Sequence, residues 1–148
     1  MNTPVTTVRN IYEAFGKGNF PAIIDQLSDQ VQWEQWADNY SQQAGVPWMQ
    51  ARTGKEGAMD FFRLLGQMHI HDFQVLSIMG SDKQAVAEII IEAEIPATGS
   101  HYRDEELHLW TFDEHGKVIR FRHYLDTAKH IAAATPQESR QMAAAAGR

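Results

Sequence analysis

Cysteine is absent from this sequence. Its absence excludes disulfide bonds, thiol nucleophiles and thiolate metal ligands. The first residues also lack a basic segment followed by an apolar run, so we expect no signal peptide and a cytoplasmic protein. No apolar stretch reaches the roughly 18 residues that a membrane-spanning helix needs, and we expect no segment embedded in a membrane.

Positive charge is scarce. The chain has 13 lysines and arginines against 19 aspartates and glutamates, which gives a formal net charge of −6. No basic stripe is present to neutralise phosphates, so we expect neither nucleic acid nor an anionic membrane as a partner. With 148 residues, of which 43% are hydrophobic, the chain has the composition of one folded domain. We expect this domain over residues 1–135, and a flexible or frayed helical tail over residues 136–148.

The first half of the chain has helical periodicity. Apolar residues at three- and four-residue spacing predict a helix over residues 5–15, and Asn19 is expected to cap a second helix. A short strand is predicted over residues 31–36, followed by a loop over residues 37–51 that has no period. The motif at residues 53–56 predicts a capping box at the start of a third helix.

Strand periodicity replaces the helical pattern after residue 66. Long strands are predicted over residues 68–79, 85–95, 101–112 and 118–126, joined by short hairpins, which makes the sheet antiparallel. Helices followed by strands indicate the α+β class. Residues 85–91 of the second long strand are apolar on both faces, and helices can cover only one of them. A second subunit on the other face is the simplest explanation, so we expect a homodimer.

The order of the elements and three segments resemble a known superfamily. The segments are Gly18-Asn19-Phe20, Thr53-Gly54-Lys55-Glu56-Gly57 through Phe61-Phe62, and the run from His108 to Val118. Over about residues 5–132 the chain resembles the SnoaL-like and ketosteroid isomerase-like group of the nuclear transport factor 2-like superfamily. The resemblance implies a cone-shaped fold, in which three N-terminal helices pack on a strongly bent, mainly antiparallel sheet around a cavity. It also implies a homodimer across the convex sheet face.

One face of the last two predicted strands collects aromatic and imidazole side chains. If Phe112 lies opposite Lys117, His108 lies opposite Phe121, and residues two apart share a face. The members of this surface are His108, Trp110, Phe112, Phe121, His123 and Leu125, with Glu106 at its end. A mostly apolar wall with a few polar groups is typical of a small-molecule site.

The resemblance assigns a chemical role to both histidines. His108 matches the carboxylic acid that bonds the substrate oxyanion in ketosteroid isomerases, and a pocket histidine in SnoaL-like cyclases. His123 matches the aspartate that acts as acid and base in those cyclases. The other isomerase side chains are not retained, because Ile11 takes the tyrosine position, beside Tyr12, and Gln35 takes the position of the base. We therefore expect His108 and His123 to be catalytic in a cofactor-independent acid–base reaction, and not in steroid isomerisation.

Further side chains are candidates to contact a small hydrophobic molecule. They are Tyr12, Trp33, Trp36, Tyr40, Trp48, Phe61, Trp110, Phe121 and Leu125. The aromatic residues before the third helix form either a lid over the cavity or ordinary core, and for Trp33 the two interpretations weigh equally. The two histidines also have an alternative, as hydrogen-bonded core residues.

Three functions stay open at this point. The first is an isomerase, cyclase or hydrolase that acts on a small hydrophobic carbonyl or polyketide-like compound. The second is a non-catalytic protein that binds an apolar small molecule. The third is an assembly role that rests on the convex sheet face alone.

Other charged residues are predicted to be structural. His69 and His71 share one strand face, but no third ligand accompanies them in the sequence, so we expect no metal and no cofactor. Acidic residues of the strand over residues 85–95 are predicted to pair with arginines on the neighbouring strands. Asp126 is expected to cap the terminal helix and not to act as an acid.

Overall fold

The computed structural model describes residues 2–136. Its α-helices are α1 (Pro4–Gly16), α2 (Phe20–Ile24), α3 (Tyr40–Gln43), α4 (Gly54–Leu65) and α5 (Thr127–Ala134), with a 3₁₀ turn over Pro47–Met49. Its strands are β1 (Leu27–Trp33), β2 (Arg52–Thr53), β3 (His69–Gly80), β4 (Gln84–Ile95), β5 (Ser100–Phe112) and β6 (Val118–Tyr124). Apart from residue 136, the predicted tail lies outside the described residues.

The strands form one open, six-stranded sheet in the order β2-β1-β6-β5-β4-β3. β1 and β6 run parallel, and every other neighbouring pair runs antiparallel. The predicted α+β class with a mainly antiparallel sheet is therefore confirmed. Of the six strands, only β2 was not predicted, because two residues are too few to show a periodic pattern.

Polar side chains cap four of the helices, α1, α2, α3 and α5, as the sequence partly predicts. Asn19 accepts a hydrogen bond from the backbone N–H of Ala22 at 3.3 Å, and Asp126 accepts one from Lys129 at 3.2 Å. Both predicted caps are confirmed. The capping box of α4 is wrong, because the Thr53 side chain makes no capping bond and instead lies 3.4 Å from Nε2 of Gln35.

The segment between β1 and α4 differs most from the prediction. β1 ends at Trp33, because Glu34 has a φ of 56°, which an extended strand cannot contain. The predicted loop holds α3 and the 3₁₀ turn. It is fastened by side chains, since Nε2 of Gln42 donates to the carbonyls of Glu34 (2.9 Å) and Met49 (3.0 Å). Such bonds leave no periodic signal in a sequence.

The β5–β6 hairpin has a register that differs by two residues from the predicted one. Phe112 pairs with Val118, and an irregularity next to this pair adds one more residue, so that His108 lies opposite His123. Because side chains alternate with a period of two, a shift of two residues leaves each side chain on its predicted face.

β4 has one buried and one partly exposed face in the single chain. Its inner side chains, such as Ala87 and Ile89, are buried, whereas Ile90 is half-buried and Glu88 is exposed. The outer face of the neighbouring β5 exposes 44% of Leu107. A single chain therefore does not bury both faces of β4, and the second subunit stays a prediction. None of the described helices is both long and apolar enough to cross a membrane.

Candidate functional site

A cavity of about 60 Å³ lies between helices α1 and α4 and the inner face of the sheet. Its walls are mostly aromatic and aliphatic, and its ionisable members are Tyr12, Tyr102, Glu106, His108, His123 and His130. A water molecule needs roughly 10–15 Å³ of such space, so the cavity has room for a few waters.

The structure brings most of the predicted site residues to this cavity. The predicted residues that line it are Tyr12, Trp33, Trp48, Phe61, His108, Trp110, Phe121, His123 and Leu125. Trp36 and Tyr40 do not line it. Trp36 packs against Tyr124, with a ring distance of 5.2 Å, and Tyr40 is 73% exposed. Both lie away from the cavity because the chain turns at Glu34, directly after Trp33.

The aromatic wall belongs to the core and to the cavity at once. Trp33 stacks on Phe121 with 4.2 Å between the ring centroids, and Trp110 lies 4.4 Å from the same ring. Trp33 is nevertheless without an acceptor for its Nε1–H among the described residues. A buried donor of this kind is rare in proteins.

A chain of hydrogen bonds runs through His108. The indole Nε1–H of Trp110 donates to the Tyr12 hydroxyl at 3.1 Å, and that hydroxyl lies 2.8 Å from Nδ1 of His108. Nε2 of His108 lies 3.0 Å from Oε1 of Glu106. Because an ionised carboxylate only accepts, Nε2 carries the ring proton and Nδ1 accepts the Tyr12 proton. Both ring nitrogens of His108 are therefore occupied.

The electrostatics agree with this direction of the hydrogen bonds. Burial raises the pKa of Glu106, but hydrogen bonds from His108 and His130 outweigh it and bring the pKa well below its usual range. Burial, helped by the neighbouring His123, lowers the pKa of His108, so this imidazole stays neutral. Burial raises the pKa of Tyr12, which keeps its proton.

His130 on α5 extends the network behind Glu106. Its Nε2 lies 2.7 Å from Oδ2 of Asp104 and 3.0 Å from Oε2 of Glu106, and Trp48 donates to its Nδ1 at 2.9 Å. Burial lowers the pKa of His130, but the carboxylates of Asp104 and Glu106 raise it by a larger amount. The pKa is therefore above that of an ordinary histidine. The Trp48 N–H opposes a proton on Nδ1 and so fixes the tautomer that carries the proton on Nε2.

His123 has a different environment. Oε1 of Glu34 accepts the His123 backbone N–H at 2.6 Å and lies 3.5 Å from Nδ1, at the outer limit of a hydrogen bond. Nδ1 has no hydrogen-bond partner among residues 2–136. Glu34 is 0% exposed and has positive φ, a conformation that costs of order 1–3 kcal/mol and occurs often at functional sites. The imidazoles of His108 and His123 lie 4.5 Å apart, edge to face.

Three buried members of the site were not predicted from the sequence. They are Glu34, Asp104 and His130. Glu34 stood at an outward position of the predicted strand, and only its backbone conformation turns it inward. Asp104 was detectable by the alternation of β5, since it shares a face with Glu106 and His108. His130 lies after β6, in a helix whose packing could not be predicted from the sequence. No pattern in the sequence indicated that this side chain is buried at the site.

Two groups of side chains have the composition of a metal site. In each group one ligand atom per residue lies within 4.8 Å of the others; the groups are Glu106 with His108 and His123, and Asp104 with Glu106 and His130. The predicted histidine pair belongs to neither, because His69 and His71 lie on the exposed face beside Glu94, at 3.8 and 3.4 Å.

The sequence matches the profile of a known protein family. The family profile described as SnoaL-like domain matches residues 8–121. No curated protein matches the chain.

Several solved structures share the fold. A nuclear transport factor 2-like protein of Burkholderia thailandensis superposes with a TM-score of 0.75 at 20% identity, over 92% of this chain and 100% of that chain. A nuclear transport factor 2-like protein of unknown function from Burkholderia pseudomallei gives 0.71 at 23% identity, over 91% and 99%. A candidate polyketide cyclase from Pseudomonas putida gives 0.65 at 18% identity, over 90% and 98%. At these identities the likeness establishes the fold and leaves the reaction open.

Proposed function

The chain belongs to the SnoaL-like domain family, and from this premise we propose that it catalyses a cofactor-independent acid–base reaction on a small hydrophobic carbonyl or polyketide-like compound. Isomerisation, cyclisation and hydrolysis are the reaction classes that this chemistry serves. The observation that carries the proposal is the buried imidazole of His123. Its Nδ1 has no hydrogen-bond partner among residues 2–136, the ring lies at an apolar cavity, and the Glu34 carboxylate lies 3.5 Å from Nδ1.

His123 is the group that moves the proton in this proposal. One ring nitrogen removes a proton from the carbon next to the substrate carbonyl and returns it to another atom of the substrate. Catalytic hydrogen bonds are often long without substrate, and the 3.5 Å contact with Glu34 shortens as the imidazolium forms. The carboxylate stabilises that positive charge strongly, because the surroundings have a low dielectric constant.

His108 has an indirect role in this proposal. A direct bond from His108 to the substrate oxygen, as the family resemblance implies, would require it to give up its bond with Tyr12 or Glu106. We therefore propose that His108 positions Tyr12 at the cavity wall. The free indole N–H of Trp33 is the donor available to the carbonyl oxygen.

Non-catalytic binding of an apolar molecule is the second candidate function. It is favoured by the satisfied network around Glu106, in which His108 and His130 have every ring nitrogen bonded. Under this alternative His123 is a core residue, and its substitution changes affinity without changing any reaction rate.

Deuterium exchange separates the two functions. The protein is incubated in D₂O with a panel of small hydrophobic ketones, and exchange at the carbon next to the carbonyl is followed by NMR. We expect exchange with at least one compound, and a rate that is lower by about 10²-fold or more for His123→Ala. The matched control is His71→Ala, an exposed histidine beside a glutamate, which keeps the full rate. Binding without exchange above the buffer rate would support the binder and contradict the enzyme.

A further inference from the structure

Three buried side chains at the cavity converge on one point. Glu106, His108 and His123 each present a ligand atom within 4.8 Å of the other two, and Oε1 of Glu106 lies 3.0 Å from Nε2 of His108. Two imidazoles and one carboxylate form a ligand set that divalent zinc uses in proteins. All three residues line the cavity, so a fourth position would be open to water or to a small molecule.

Both histidines have an oxygen on the Nδ1 side of the ring, as metal-binding histidines usually do, and His108 already forms a hydrogen bond with it. A ligating imidazole binds through one nitrogen and is held by an oxygen at the other. Nδ1 of His108 lies 2.8 Å from the Tyr12 hydroxyl, and Nδ1 of His123 lies 3.5 Å from the Glu34 carboxylate. In each ring Nε2 is then the nitrogen that serves as a ligand.

The charge balance and the unpartnered imidazole point to a bound cation. Neither Glu34 nor Glu106 forms an ion pair with a lysine or an arginine among residues 2–136; their partners are histidines. Buried charges in proteins are paired or coordinate metals. The His123 side chain is 10% exposed, and neither of its ring nitrogens forms a hydrogen bond within residues 2–136.

We propose that Glu106, His108 and His123 bind one first-row divalent transition-metal ion, with Zn²⁺ as the preferred species. The ion coordinates Nε2 of both histidines and Oε1 of Glu106. Tyr12 and Glu34 hold the two rings from behind. The sequence-based expectation of no metal considered only ligands that are close in sequence, whereas these come from β5 and β6.

The second buried group is a poorer metal site. In the group of Asp104, Glu106 and His130 the polar atoms already have protein partners. Trp48 donates to His130, and the backbone N–H groups of Glu105 and Asp126 donate to Asp104. A metal there would have to displace the His130 proton that both carboxylates share.

Metal binding would reverse the hydrogen bonds around Tyr12. Zinc at Nε2 of His108 takes the place of the proton that this nitrogen gives to Glu106. Nδ1 then keeps the ring proton and donates it to the Tyr12 hydroxyl, which also accepts from Trp110. The Tyr12 proton is thereby freed to donate to a molecule in the cavity.

The metal site does not depend on the acid–base reaction proposed above, and the two compete for His123. Zinc bound at Nε2 removes the nitrogen that would move the proton. Loading with zinc is therefore expected to suppress deuterium exchange in the wild-type protein. Exchange by the metal-free protein without any zinc binding would overturn the metal site and leave the proposed function intact.

Calorimetry with zinc tests the site directly. Protein stripped with a chelator is titrated with ZnCl₂, and we expect one ion per chain. His123→Ala is expected to weaken binding by about 100-fold or more, and Glu34→Gln by about 10- to 100-fold through the loss of its hold on the ring. His71→Ala is the matched control and keeps wild-type affinity. Binding that is insensitive to His123→Ala, or lost in His71→Ala, would overturn the proposal.

Wild-type crystals give a second test that does not depend on the folding of a variant. After a zinc soak, anomalous diffraction at the zinc edge is expected to place the ion between the two buried histidines and Glu106. Cobalt loading in solution should add the visible absorption of four-coordinate Co²⁺. Anomalous density only beside the exposed His69, His71 and His101, or none at all, would contradict the site.

Discussion

Two groups of histidine–glutamate contacts lie on opposite faces of the same sheet. In the inner group, Glu106 lies 3.0 Å from both His108 and His130, and Glu34 lies 3.5 Å from His123. In the outer group, His101 lies 2.9 Å from Glu92, and His71 lies 3.4 Å from Glu94. The distances overlap, so distance does not distinguish the groups. Burial does, because every inner side chain is buried and every outer one is about half exposed.

This difference decides what each group can contribute. Water solvates the outer carboxylates and imidazoles whether or not they pair, so their contacts stabilise the fold little. The inner carboxylates have lost their water, and their partners must supply every hydrogen bond. Proton transfer and metal binding at defined nitrogens are therefore expected of the inner group alone.

Removing the carboxylate of Glu106 should produce the largest difference in stability between the inner and the outer group. Glu106→Ala leaves His108 and His130 without their shared acceptor, and we expect a loss of about 3–5 kcal/mol in the free energy of unfolding. Glu94→Ala, in the outer group, should cost less than about 1 kcal/mol. Urea unfolding of both variants measures the difference. Equal losses would show that burial does not separate the two groups.

Acid should affect the inner group through the same carboxylate. The pKa of Glu106 is lowered in the folded protein, so on acidification the unfolded chain takes up this proton first. Its contribution to stability is complete above the ordinary pKa of 4.5 and is lost as the pH falls further towards the folded value. Glu106→Gln should remove this part of the acid dependence of unfolding, whereas Glu94→Gln should retain it. If the unfolding free energy of Glu106→Gln fell with pH as steeply as that of the wild-type protein, Glu106 would not be the source of this acid dependence.

Removing the Tyr12 hydroxyl should have a smaller effect. This hydroxyl forms two hydrogen bonds, one accepted from Trp110 and one donated to His108. Tyr12→Phe leaves the Trp110 N–H without an acceptor and Nδ1 of His108 without a donor. We expect a loss of about 2–3 kcal/mol in unfolding free energy. Tyr124→Phe on the outer face, where the side chain is 44% exposed, should be within about 0.5 kcal/mol of wild type. A neutral Tyr12→Phe would rule out the hydrogen-bond chain.

Loss of one indole donor should have the smallest effect. Trp48→Phe keeps most of the ring packing but removes the donor to Nδ1 of His130, and we expect a loss of about 1 kcal/mol. Trp36→Phe removes a longer bond of 3.4 Å to Glu34 on a half-buried ring, and should cost less. Thermal unfolding of the two variants in parallel is sufficient. The reverse order would contradict the importance of burial.

The faces of the strands could be predicted from the sequence, and the chemistry of the inner group could be predicted only in part. His108 and His123 fall on the inner face because a period of two tolerates the register error of two residues that the hairpin contains. Local pattern also predicts caps such as Asn19 and Asp126, since capping involves residues only three apart.

The remaining members of the site depend on long-range contacts that periodicity does not contain. Glu34 faces inward because its φ is positive, and glutamate is not a residue type that signals such a conformation in a sequence. His130 reaches Glu106 because α5 packs across β5, and this contact joins residues 24 positions apart in a sequence with no shared motif. The family resemblance supplied the fold, but its catalytic positions did not include either residue.

A double-mutant comparison of deuterium exchange tests the central claim, which is that His123 and Glu34 act together on a proton. Exchange into a ketone that the wild-type protein turns over is measured for His123→Ala, Glu34→Gln and the double variant. We predict that Glu34→Gln lowers the rate, that His123→Ala lowers it about 10²-fold or more, and that the double variant is no slower than His123→Ala alone. A full rate in His123→Ala, or losses that simply multiply in the double variant, would contradict the account.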